Sequence, residues 1–122
     1  MSRLIQIIDL AGSVPLVRVG ANDPLYIKRA LDSGAKGIVV PMVNSVDMAK
    51  AAVQAAYYPP KGTRGVGLYR AQGYGESFDS YRRDVANDII VVVQIEHYSA
   101  IDNIRISAVP VPIYTYTPTT RC

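Results

Sequence analysis

Apolar residues fall along this chain in short solid runs. Each run is closed by a chemically distinctive residue and followed by a stretch with helical spacing. Val14 to Val19 reads VPLVRV and carries Arg18 near its end, while Gly37 to Val43 reads GIVVPMV and ends around Pro41 and Met42. From Ile89 to Ile95 six of seven residues are aliphatic, and the run then delivers Glu96 beside the only histidine, His97. Runs without alternation predict parallel strands buried on both faces.

Between the runs the period changes to that of a helix. In NDPLYIKRALDSG, Asn22 and Asp23 are capping candidates, Pro24 suits a first helical position and Gly34 a C-terminal stop. Ile27, Ala30, Leu31 and Ala35 form its apolar face. Ser45 is placed to cap VDMAKAAVQAA, where Val46, Ala49, Val53 and Ala56 share a side before Pro59 and Pro60 end the pattern. The segment from Lys61 to Ser77, rich in Gly, Arg and Tyr, predicts a loop around a short strand. A further helix runs through SFDSYRRDVAND with Phe78, Tyr81 and Val85 on one face, and another starts in SAIDNI. From Arg105 onward there is no acidic residue, and Pro110 and Pro112 restrict the tail to an edge strand or loop.

Strand and helix in alternation imply an α/β fold of parallel strands with helical crossovers. In barrels of this kind function gathers at the carboxyl ends of the strands. Arg18 and Glu96 both sit there. A carboxylate is costly to bury unpaired, and a strand that carries Glu96 to the rim avoids that cost.

Bulk properties narrow the classes. The 122 residues suit one domain, and 49% hydrophobic against 19% charged residues permits a real core. The net charge of +3 is spread without a basic run, so a nucleic-acid footprint is not indicated. TRGVGLYRAQGYG and the Tyr/Thr tail, where Arg and aromatics could track a backbone and stack bases, are the minor alternative of that kind. One cysteine, at position 122, excludes an internal disulfide framework and fits a reducing, cytoplasmic setting. No apolar run reaches the roughly 18 residues of a membrane span, and the start MSRLIQIIDLAGS is too short and interrupted for a signal peptide.

The ordered pieces PLVRVGANDPLYIKRALDSGAKGIVVPMV, YYPPKGTRGVGLYRAQGYG and VVVQIEH resemble the HpcH/HpaI aldolase family of class II pyruvate aldolases, over roughly Leu4 to Ile104. The resemblance implies a TIM (β/α)₈ barrel, assembled as a homo-oligomer. It implies cleavage of 2-keto-3-deoxy sugar acids or 4-hydroxy-2-oxo acids to pyruvate and an aldehyde, assisted by Mg²⁺ or Mn²⁺. Position by position, it makes Glu96 a metal ligand, Gln94 a substrate contact and Arg18 the arginine that stabilises the transition state. Asp32 would support a catalytic histidine, and Arg70 would meet the aldehyde. His97, next to Glu96, reads as a surface or supporting residue. On residue chemistry alone, Glu96 also reads as a strand-end surface carboxylate, Arg18 as a rim ion pair and Asp32 as a polar helix-end residue.

The pattern is incomplete. The family's general-base histidine precedes the arginine strand, and this chain has no histidine before His97. The only aspartate after Glu96 is Asp102, inside the next helical pattern rather than in a turn. A full barrel takes about 250 residues. The expectation is therefore a partial barrel of about four strands over residues 1–104, an off-pattern tail over 105–122, and little turnover by the chain alone. The alternative is a non-catalytic half-barrel module completed by self-association or by a partner.

Overall fold

The computed structural model describes residues 1–100 and 113–116, with 86, 87 and 113–116 as backbone only. In chain order the elements are α1 (Ser2–Leu10), β1 (Leu16–Arg18), α2 (Pro24–Asp32), β2 (Gly37–Val40), α3 (Val46–Ala56), α4 (Phe78–Asp88), β3 (Ile90–Gln94) and β4 (Ile113–Tyr116). The strands form one sheet in the order β1-β2-β3-β4, and every pairing is parallel.

Local chemistry sets the helix ends. Asp23 accepts the Leu25 N–H at 2.7 Å with Pro24 as the first helical residue, and Ser45 accepts the Met48 N–H at 3.2 Å. Gly34, at φ +102°, takes the left-handed turn that ends α2. The predicted faces are the buried ones: Ile27, Ala30 and Leu31 on α2, and Ala49, Val53 and Ala56 on α3, pack with Ile38, Val40, Val91 and Val93.

Three expectations change. The loop before α4 contributes no strand: β3 pairs directly with β2, and residues 61–69 carry no strand among the described residues. Gly62, Gly65 and Gly67 disfavour an extended ladder, and Arg70–Gly75 coils instead into a kinked 3₁₀ segment. The fourth strand comes from the tail, where Ile113–Tyr116 pairs with β3 at the sheet edge. The second change concerns burial. Helices cover one sheet face, while Val39, Ile90 and Val92 on the other are only partly buried. Third, strand pairing stops at Gln94, so Glu96 and His97 lie beyond the strand rather than on alternate faces of it. The helix start beyond Ala100 and the expected boundary at residue 104 fall outside the described residues.

Candidate active site

The register of the sheet explains how Arg18 and Gln94 meet. Arg18 pairs with Val39, and Val39 pairs with Val92, so the three form one cross-strand row. Side chains two residues apart on a strand share a face, which puts Gln94 on the same side, one step toward the carboxyl end. The Arg18 side chain reaches over β2, and its Nε donates to Gln94 Oε1 at 3.0 Å. Gln94 is buried and its carbonyl accepts the Val43 N–H at 3.0 Å, which locks the end of β3 to the loop after β2.

That loop also holds Glu96. Met42 has φ +54°, a left-handed conformation unusual for a side chain of its size. Its N–H is donated to Glu96 Oε2 at 2.9 Å. Glu96 is exposed, as expected of a carboxylate brought to the rim. His97 is exposed beside it, with Nδ1 2.7 Å from Ser99 Oγ and its ring against Tyr98.

Asp32 sits elsewhere, in a buried polar cluster. Its Oδ1 accepts from Arg64 Nη2 at 2.6 Å and from Gln72 Nε2 at 3.4 Å, and Oδ2 pairs with Lys28 one helical turn earlier. Gln72 also donates to the Tyr58 hydroxyl at 3.0 Å. The Arg64 guanidinium stacks 4.7 Å from the centroid of Tyr58, with Tyr81 on another side. Burial works to lower the pKa of Arg64, but Tyr81 and Asp32 outweigh it and the net direction is upward. Burial pushes the Tyr81 phenol up, against the pull of Arg64.

Arg18 and Asp32 line a common open cleft of about 650 Å³, together with Tyr26, Arg29, Ser33 and Tyr69. Gln94 and Glu96 do not line it. Arg70 is outside it too, its Nη1 3.4 Å from the Ser33 carbonyl and its Nη2 3.5 Å from Asp9 on α1. The structure thus joins Arg18 to Gln94 directly, puts Glu96 two residues farther on, and leaves Asp32 and Arg70 in separate contacts. Arg64, Gln72 and the strained Met42 were not legible as site-forming residues. An arginine among glycines reads as solvated loop, and its partner Asp32 lies 32 positions away.

HpcH/HpaI aldolases are in general metal-dependent. At the carboxyl end of the sheet Glu96 offers one carboxylate, which fits because hard cations bind through one or two carboxylates plus waters and substrate oxygens. No group of three or more His, Cys, Asp or Glu side chains suited to a metal occurs among the described residues. Nor is any described helix long and apolar enough to cross a membrane.

Comparison with known proteins places these features. The sequence pattern of the HpcH/HpaI aldolase/citrate lyase family matches residues 1–112. The chain is 42% identical over 109 residues to a 2-dehydro-3,6-dideoxy-6-sulfogluconate aldolase of Pseudomonas putida, a match covering 88% of this chain and 42% of that protein. It is 45% identical over 94 residues to a 4-hydroxy-2-oxo-heptane-1,7-dioate aldolase of Salmonella arizonae, covering 75% of this chain and 35% of the other. A crystal structure of an HpcH/HpaI aldolase/citrate lyase family protein from Burkholderia cenocepacia superposes with a TM-score of 0.84 at 33% identity, over 93% of this chain and 48% of that one. The chain thus spans less than half the length of these relatives. With its parallel sheet, its Arg18–Gln94 pair and this match over most of its residues, the chain belongs to the HpcH/HpaI aldolase/citrate lyase family.

Proposed function

We propose that this chain carries the arginine–glutamine–glutamate part of a class II pyruvate aldolase. Such a lyase splits 2-keto-3-deoxy sugar acids or related 4-hydroxy-2-oxo acids into pyruvate and an aldehyde. The observation that carries the reading is the 3.0 Å bond between Arg18 and Gln94 at the carboxyl end of the sheet, with Glu96 two residues on. The partial (β/α)₈ barrel belongs to the same reading, supported by four parallel strands in sequential order.

The chemistry asks for positive charge where an enolate forms. Arg18 supplies a planar cation, and Gln94 holds its Nε so that the guanidinium is aimed before substrate arrives. Gln94, anchored by its own backbone to Val43, fixes that aim. Glu96 would hold a divalent cation, Mg²⁺ or Mn²⁺, with one carboxylate oxygen already oriented by the Met42 N–H. Such a cation, when bound, adds Lewis-acid stabilisation to the developing enolate. Turnover by this chain alone is expected to be little or none, because its single histidine lies after the arginine strand.

The test uses the 122-residue chain. Mn²⁺ binding, followed by water-proton relaxation, should weaken in Glu96→Gln, and binding of oxalate, a planar mimic of the enolate, should weaken in Arg18→Met. Pyruvate release from a 4-hydroxy-2-oxo acid should stay at the buffer rate. Binding indifferent to both substitutions, or robust turnover by the isolated chain, overturns the reading.

A further inference from the structure

A second hollow lies between the end of α3 and α4, and no residue lines both it and the cleft of Arg18. It encloses about 370 Å³, within the range of small-molecule sites. All of its residues fall between positions 57 and 85, in the middle of the chain. Its apolar part is made by the buried Tyr57, Tyr58 and Val85 and by the exposed Pro59 and Pro60. Both phenols are engaged within the protein, Tyr57 donating to the Ile89 carbonyl at 3.3 Å and Tyr58 accepting from Gln72 Nε2 at 3.0 Å. Ring carbon is therefore what they offer an occupant.

The polar part is cationic. Lys61, Arg82 and Arg83 line it against one carboxylate, Asp79, a balance of three minus one, or +2. Arg82 and Arg83 are exposed, and among the described residues neither has a hydrogen-bond or ion-pair partner. On a merely solvated helix face, Asp79 four residues before Arg83 is the spacing that pairs. That ion pair is not formed, and both guanidinium groups line the hollow instead. The loop that brings Lys61 is fixed by its own backbone. The Gly62 N–H donates to the Tyr58 carbonyl at 3.1 Å, and the Arg64 N–H to the Tyr57 carbonyl at 3.0 Å. A Cβ on Gly62 would collide with the Gln54 and Tyr57 carbonyls, so this turn requires glycine. A wall held in advance lowers the ordering cost of binding.

We propose that this hollow binds a small phosphate monoester, with the phosphate at Lys61, Arg82 and Arg83 and an apolar body against Tyr57, Pro59 and Pro60. A phosphate monoester carries close to two negative charges at neutral pH, which the excess of +2 matches. Guanidinium forks take phosphate oxygens two at a time. A singly charged anion leaves one cation uncompensated, and bare phosphate leaves the apolar surface in water. A nucleic acid would need basic residues spread along its backbone, whereas these three converge on one concavity in a chain without a basic run. Tyr58 links the hollow to the interior, because its ring also carries the Arg64 guanidinium 4.7 Å from its centroid. The site stands on its own residues and not on the aldolase chemistry, so either can fail while the other holds.

The test is titration calorimetry of the 122-residue chain with phenyl phosphate, at a pH well above its second pKa of about 6. One site per chain is expected. Phenyl sulfate, of the same shape with one charge, and inorganic phosphate, with the charge but no body, should each bind about tenfold more weakly. Arg82→Met and, separately, Arg83→Met should each weaken phenyl phosphate about tenfold, the loss of one charge-assisted bond. Both positions are exposed, so the circular dichroism of the helices should be retained. Lys50→Met, which removes an exposed cation of α3 outside the hollow, should leave the affinity unchanged, and so should Arg18→Met in the other cleft. Absence of binding at millimolar phenyl phosphate overturns the proposal. So does equal binding of phenyl sulfate, an affinity indifferent to Arg82 and Arg83, or an equal loss in Lys50→Met or Arg18→Met.

Discussion

The guanidinium of Arg64 is buried against the carboxylate of Asp32, Nη2 to Oδ1 at 2.6 Å, from a loop 32 residues farther along the chain. This pair, with the Gln72–Asp32 and Arg70–Ser33 bonds beside it, ties the Gly-rich loop to the end of α2, and α2 in turn lies over β2. Asp32 has a second cation in Lys28, but the Arg64 side chain is fully enclosed whereas that of Lys28 is 30% exposed. Removing one partner of an enclosed ion pair strands the other charge in a medium that solvates it poorly.

Arg64→Met is therefore expected to lower unfolding stability by about 3 kcal/mol, the low end of the range for a broken buried pair, because Lys28 still pairs with Asp32. Lys28→Met should cost about 0.5 kcal/mol, as for partly solvated pairs. Urea midpoints at constant slope measure both. Equal losses for the two variants would show that enclosure is not what gives Arg64 its weight.

The same cluster predicts an alkaline weakness. Burial raises the Tyr81 phenol, and Tyr57, whose hydroxyl bonds the Ile89 carbonyl at 3.3 Å, is raised by burial as well. A group whose folded pKa exceeds its unfolded value binds more protons when folded. Its contribution is complete below the unfolded value, about 10 for tyrosine, and is lost as pH rises through the folded value. Urea midpoints should fall above about pH 10, and the fall should be shallower in the double variant Tyr57→Phe, Tyr81→Phe. An unchanged slope would assign the alkaline loss to other groups.

How much of this was legible follows from the range of each interaction. The ends of α2 and α3 were readable because Asp23, Pro24 and Ser45 act within three residues of their targets. Arg18, Gln94 and Glu96 were readable as strand-end residues, but not the bond between the first two, because it depends on β1 and β3 both pairing with β2. The short strand expected in the Gly-rich loop was wrong for the same reason: the edge of β2 that it would have taken belongs to β3. Aliphatic runs could not reveal the half-open face either. Val39 and Val92 look identical in sequence to Val40 and Val93, and only the neighbours decide which pair is covered.

Gly37 is what allows β1, β2 and β3 to approach at the start of the sheet. A Cβ there would lie 2.5 Å from the Ile90 carbonyl oxygen and 2.8 Å from Ile90 Cβ on the β3 side, and 2.7 Å from Leu16 Cδ2 on the β1 side. Backbone and β-carbons on rigid strands cannot move aside as a flexible side-chain tip can. Gly37→Ala should cost about 2 kcal/mol, in the range for overpacking, read as a lower thermal midpoint. Gly20→Ala, with nothing within 4 Å of the added methyl, is the control and should be close to neutral. A Gly37→Ala protein as stable as the wild type would mean that the strands part more easily than their packing implies.

The Arg18–Gln94 bond should appear as a coupling energy. Gln94 is buried, so Arg18→Met leaves its Oε1 without the charged donor and should cost about 1–2 kcal/mol. Gln94→Met removes the acceptor but keeps the volume, and leaves an exposed arginine that water solvates, so its cost should be smaller, about 0.5 kcal/mol. In the double variant no polar group is left buried without its partner, and the loss should fall short of the sum of the single losses by about 1 kcal/mol. Strict additivity would mean that the two side chains do not hold each other, and the aim of Arg18 would then have to be set by whatever binds in the cleft.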